Sequence, residues 1–211
     1  LGFDRSQIKT SSYNVLIEGA CFESAVIATD IPRLSIVPAS VHLAGAEVEL
    51  VNAGRREYRL AEALETLKEG SFDYVLIDSP PSLNLLTINA LTAADAVLVP
   101  LQVEFYALEG LSHLLKTIEK VRQKFNPQLE IQGVVLTMFD RRNNLSEMVA
   151  EDVRNHLGDK VYNTIIPRNV RISEAPSYGK PVLLYDHKCA GARAYIHLAG
   201  ELLQRERTTS A

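Results

Sequence analysis

The chain has 211 residues, 46% of them hydrophobic and 23% charged, with a formal net charge of −4 at neutral pH, which suits one globular α/β domain with a substantial core. No run of 18 apolar residues is present to span a membrane, and the first twenty positions lack the basic-then-apolar order of a secretory leader, so a cytoplasmic location is expected. Cys21 and Cys189 stand far apart with no C-x-x-C or Cys/His spacing, which gives no support to a disulfide scaffold or a structural zinc site, and two free thiols are expected.

The chain opens at Leu1 without an initiator methionine and enters a polar stretch from Gly2 to Ser12, so an N-terminal part is expected to be missing. Five short apolar runs follow, at 34–37, 74–77, 96–99, 131–138 and 161–166, with helical patterns between them. This alternation predicts a parallel sheet with crossover helices, in one domain over 1–211. Helices are expected over 46–68, 83–92, 145–157 and 190–203. The clearest, over 108–125, carries Leu108, Leu111, Leu115, Ile118, Val121 and Phe125 along one stripe until Asn126-Pro127 ends it. Charge is uneven: residues 1–100 hold 7 Lys+Arg against 13 Asp+Glu, whereas residues 141–193 hold 9 against 6. That excess suits either an anionic partner or a solvated face.

In a doubly wound sheet, ligands bind beyond the carboxyl ends of the strands. The residues following each run are therefore read together: 38–40, Asp78-Ser79-Pro80-Pro81, 100–102, 139–142 and 167–169. The run ending at Ile77 delivers Asp78 to this rim, as a Walker-B aspartate is presented to nucleotide-bound Mg²⁺. The plainer reading is a buried parallel strand whose terminal Asp caps the next helix. Gly179-Lys180 is a turn, because Glu174 stands where a phosphate loop needs its first Gly and Pro181 where it needs Ser or Thr.

Three segments, in order, resemble the ParA/Soj family of chromosome- and plasmid-partitioning ATPases: Asp73-Tyr74-Val75-Leu76-Ile77-Asp78-Ser79-Pro80-Pro81-Ser82-Leu83, Tyr106-Ala107-Leu108-Glu109-Gly110-Leu111, and Ile166-Pro167-Arg168-Asn169-Val170-Arg171-Ile172-Ser173-Glu174-Ala175-Pro176. The likeness extends from Leu43 to Asp186. It implies a P-loop NTPase-like three-layer α/β sandwich with a mostly parallel sheet, its first two strands missing. The phosphate loop and an aspartate near the attacking water would lie upstream, in roughly 40–60 residues. Loss of such a strand leaves unpaired sheet edges and exposed apolar side chains.

The resemblance further implies ATP and Mg²⁺ as ligands. Asp78 would hold Mg²⁺ through water, with Ser79 and Pro80 sensing the γ-phosphate. Thr137, Met138 and Asp140 at one strand end, and Pro167, Arg168 and Asn169 at another, correspond to the adenine-side loops. Met138 lies flat against a purine or is ordinary core, and Asn169 reads the base edge or caps a turn. By the same likeness the protein is an ATP-dependent homodimer whose hydrolysis is stimulated by a ParB-type centromere-binding protein. It would bind double-stranded DNA without sequence preference through Arg142 and Arg171, with Arg141 or Arg168 assisting; each arginine also reads as a solvated or carboxylate-paired surface residue. Glu104, Tyr106 and Glu109 face the dimer partner or cap the following helix. Nucleoid association, with no membrane partner, is expected. The rival readings are a non-catalytic module for partner protein or DNA, and a MinD-like membrane ATPase. The second would need an amphipathic end where residues 200–211 are short and quickly polar.

Overall fold

The computed structural model describes residues 1–80 and 84–209; Pro81, Ser82 and Leu83, including the expected helix start at 83, lie outside them. Two compact units emerge. One comprises Phe3–Ala96 and Thr117–Leu129, the other Leu1–Gly2, Val97–Lys116 and the chain from Glu130 onward.

The first unit contains helices α1 (Ser12–Glu18), α2 (Phe22–Ala25), α3 (Ala46–Leu50), α4 (Arg59–Leu64) and α5 (Leu85–Ala93), with strands β1 (Ile27–Ala28) and β2 (Ser35–Ile36). Val15, Phe22 and Ala25 form its buried centre, with Leu60, Leu64 and Leu67 packed against them. The buried Asn89 of α5 donates to the Arg56 and Leu85 carbonyls at 2.8 and 3.0 Å and accepts from the Leu60 N–H at 3.2 Å. A buried amide satisfied in this way fixes α4 on α5.

Three sequence expectations fail in this unit. The run 34–37 joins no parallel sheet; it forms an antiparallel hairpin, Ile27 opposite Ile36 and Ala28 opposite Ser35. The cause is local: Pro32 and a left-handed Arg33 (φ 65°) close a turn in which Thr29 N–H bonds the Leu34 carbonyl at 3.1 Å. The helix expected over 46–68 breaks between α3 and α4, where Asn52-Ala53-Gly54 and left-handed Arg55 (φ 52°) turn the chain. The run 74–77 is not a strand. Among the described residues no strand runs beside it, and Val75 and Leu76 are 49% and 90% exposed. A short apolar run does not by its composition alone specify a strand.

The second unit is built on β3 (Ala96–Gln102) and β4 (Glu130–Thr137), which pair in parallel. Helix α6 (Ala107–Lys124) contributes its residues through Lys116, and α7 (Asn144–Leu157), α8 (Val170–Glu174), α9 (Val182–Tyr185) and α10 (Ala190–Thr209) complete it. β4 is covered on both faces, as a parallel interior strand must be. Val134 and Leu136 pack with Leu111, Val149 and Val153, whereas Val135 packs with Tyr162, Ile166 and Leu198. The last predicted run follows β4 through bridges at Val134–Val161 and Phe139–Pro167 rather than as a continuous strand. Its ladder is interrupted because Asn163 and Thr164 donate their N–H groups, each at 2.8 Å, to the Glu201 carboxylate of α10. The helix end expected at 203 is also corrected: α10 runs on through the polar residues to Thr209, and Arg205 ties it down by bonding the Asp159 and Val161 carbonyls at 2.9 Å. No helix of the described residues is long and apolar enough to cross a membrane.

Candidate functional site

The carboxyl end of β4 opens into a cavity of about 190 Å³. Thr137 is the last strand residue, and Met138 then adopts a left-handed backbone (φ 55°) that carries the chain out of the sheet. A non-glycine residue held there costs about 1–3 kcal/mol and persists only where its surroundings enforce it. They do so here: Phe139 N–H bonds the Ile166 carbonyl at 3.2 Å, and Arg168 N–H bonds the Phe139 carbonyl at 2.9 Å. These bonds hold the two strand ends side by side, so Thr137, Met138, Pro167 and Asn169 line one cavity.

Four of the six residues expected near a base thus meet. Asp140 and Arg168 are not among those lining the cavity. Of the two alternatives left open for Asn169, the cap is the one seen: its Oδ1 accepts the Arg171 N–H at 2.9 Å at the start of α8, which leaves the amide nitrogen as a donor. Met138 is 41% exposed and therefore is not core. Cavities that enclose drug-sized ligands measure about 300–1,000 Å³, and this one is smaller than those.

Sequence reading missed Tyr195, Ile172 and Ser173, which complete the lining together with Pro100 and Ile166. The signal lay in Gly191. A Cβ there would run into the Ile172 side chain and come within 3.4 Å of Asn169 Cβ. The missing side chain lets α10 close on α8, and Tyr195 follows one helical turn later.

Asp140 and Arg142 form a tight pair: Arg142 donates its backbone N–H and Nε to Oδ1, both at 3.0 Å, and Nη2 to Oδ2 at 2.8 Å. The Arg142 side chain and backbone N–H hold the Asp140 carboxyl down at about 2. The Arg142 side chain is nevertheless 89% exposed. Arg171 lies 2.9 Å from Glu174 and 3.5 Å from Asp186, and Glu174 raises its already high pKa further. Both arginines expected at DNA therefore carry carboxylate partners, the plainer of their two readings.

Asp78, Ser79 and Pro80 belong to the other unit, are exposed, and are not among the residues lining the cavity. No group of three or more His, Cys, Asp or Glu able to hold a metal occurs among the described residues. A lone exposed carboxylate does not suit a resident metal. It does suit Mg²⁺, which keeps several waters and rests on one or two carboxylates plus phosphate oxygens.

A family model described as an AAA domain matches residues 1–131. The chain is 60% identical over 212 residues to the chromosome partitioning protein ParA of Caulobacter vibrioides (strain NA1000 / CB15N), covering all of this chain and 79% of that protein. It is 50% identical to the sporulation initiation inhibitor protein Soj of Bacillus subtilis (strain 168), covering 96% of this chain and 79% of that one. A solved structure described as cobyrinic acid a,c-diamide synthase from Mycobacterium smegmatis with bound ATP analogue and magnesium is similar at 37% identity and a TM-score of 0.83, over 99% of this chain and 78% of that one. The cell division ATPase MinD of Pyrococcus furiosus shares the fold, with a TM-score of 0.75 at 24% identity over 94% of this chain and 77% of that one. With full-length identity of this order and a P-loop NTPase-like α/β fold, the chain belongs to the ParA/Soj family of chromosome partitioning ATPases.

Proposed function

We propose that residues 1–211 belong to a single ParA-type ATPase domain that binds ATP with Mg²⁺ and works as a nucleotide switch in DNA segregation. The observation that carries this reading is the cavity at the end of β4, where Thr137, Met138, Pro167 and Asn169 converge. It lies at the strand end where open α/β sheets take their ligands. In this reading the base of ATP enters the cavity, Asn169 donates its amide N–H to a ring nitrogen, and Asp78 holds Mg²⁺ through water beside Ser79 and Pro80. Bound Mg²⁺ neutralises charge that builds on the phosphates during transfer to water. The nucleotide-bound form pairs with a second copy, a ParB-type partner stimulates hydrolysis, and Arg142 and Arg171 contact DNA phosphates. Arg142 suits that role because its exposed guanidinium can exchange Asp140 for a phosphate.

Two measurements test these assignments. Asn169→Asp retains a capping oxygen for α8 but removes the donor, so adenosine should bind about five- to tenfold more weakly with helix content unchanged. Undiminished binding would show that Asn169 only caps. In the full gene product, Arg142→Glu and Arg171→Glu should each lower ATP-dependent DNA retention by about tenfold or more while nucleotide binding survives. Equal retention by both variants at low salt removes the DNA assignment.

A further inference from the structure

The cavity contains one aromatic ring, that of Tyr195. Tyr195 is 39% exposed, whereas Leu198 of the same helix is 9% exposed and packs in the core with Val135 and Tyr162. The core therefore does not require the Tyr195 ring. Among the described residues no ring contact or hydrogen bond engages it. Its position is nonetheless built: Gly191, one turn earlier, lets α10 approach Ile172 and Asn169 closely enough for residue 195 to reach the cavity.

We propose that Tyr195 is a specificity-determining residue, its ring a stacking wall that makes the cavity select a planar aromatic base. The proposal rests on the reading of this cavity as the base site and adds to it the source of the affinity. The remaining lining is aliphatic, thioether, hydroxyl or amide, surfaces that accept many apolar groups. Only a π-face at Tyr195 distinguishes an aromatic base from a saturated ring of similar size. Stacking of a base on an aromatic side chain contributes about 1–3 kcal/mol, which corresponds to about fivefold to 150-fold in affinity.

The test is calorimetric titration of the 211-residue chain with adenosine, which presents the base without phosphates. Tyr195→Ala should weaken binding at least fivefold and Tyr195→Phe should stay within about twofold of the parent, since the ring and not the hydroxyl is used. Tyr195→Leu retains apolar bulk without a π-face; it should behave like Tyr195→Ala, and it decides the matter if the alanine variant unfolds. Parent-like binding by Tyr195→Leu overturns the stacking role while leaving the base site standing. Failure of the parent chain to bind adenosine overturns both.

Discussion

Gly133→Ala is expected to destabilise the chain by about 3 kcal/mol, the largest effect of any single methyl group considered. A Cβ at residue 133 would lie 2.6 Å from the Lys160 carbonyl oxygen and 2.6 and 3.0 Å from the Tyr162 ring. Neither neighbour is free to yield. Tyr162 N–H is bonded to the Val134 carbonyl at 2.9 Å, and Arg205 sits 4.0 Å from the ring centroid. Overpacking a fixed core costs about 1–3 kcal/mol, and the φ of 157° at Gly133 adds backbone strain for any side chain. Urea unfolding should show the fall, with Gly200→Ala as a control: nothing lies within 4 Å of that added Cβ, and alanine favours a helix interior. If the two variants unfold at the same midpoint, the close approach of residues 160–162 to β4 is misplaced.

Glu201→Ala should cost about 2 kcal/mol, through a polar joint rather than a steric one. The carboxylate accepts the Asn163 and Thr164 N–H groups at 2.8 Å each and pairs with Arg205 at 2.9 Å. Its removal orphans two backbone donors in the segment leading to Pro167 and takes from Arg205 its bond to the Glu201 carboxylate, losses of about 1–3 kcal/mol each before solvent access reduces them. Burial pushes the Glu201 carboxyl up, but the bonds from Asn163, Thr164 and Arg205 outweigh it, and the net pKa is lowered. The stability this contributes is therefore complete above the unfolded pKa of about 4.3 and is lost as pH falls through the lower folded value. An acid titration of stability should be shallower below pH 4.3 in Glu201→Ala than in the parent; parallel curves would mean that the joint does not form in solution.

Sequence made the second unit legible. The stripe from Leu108 to Phe125 located α6 to within a residue, because an amphipathic period over five turns is a strong signal. The end of β4 was legible for the same kind of reason, since a long apolar run ending in polar residues marks a rim. Residues 34–37 and 74–77 were misread because short apolar runs do not say what pairs with them. A turn at Pro32-Arg33 decided the first, and the second lies along no strand of the described residues. Tyr195 was hidden for a different reason: within a helix its spacing matched a surface position, and only the close approach permitted by Gly191 makes it part of the cavity.

The most direct test of a base site at the end of β4 is an NMR titration of the chain with ATP and Mg²⁺, following the Met138 methyl and the Asn169 side-chain amide. Both signals should shift together and saturate, with Asp78 marking the metal-dependent part of the response. Saturable binding that leaves Met138 and Asn169 unmoved, or no binding at all, would contradict the account.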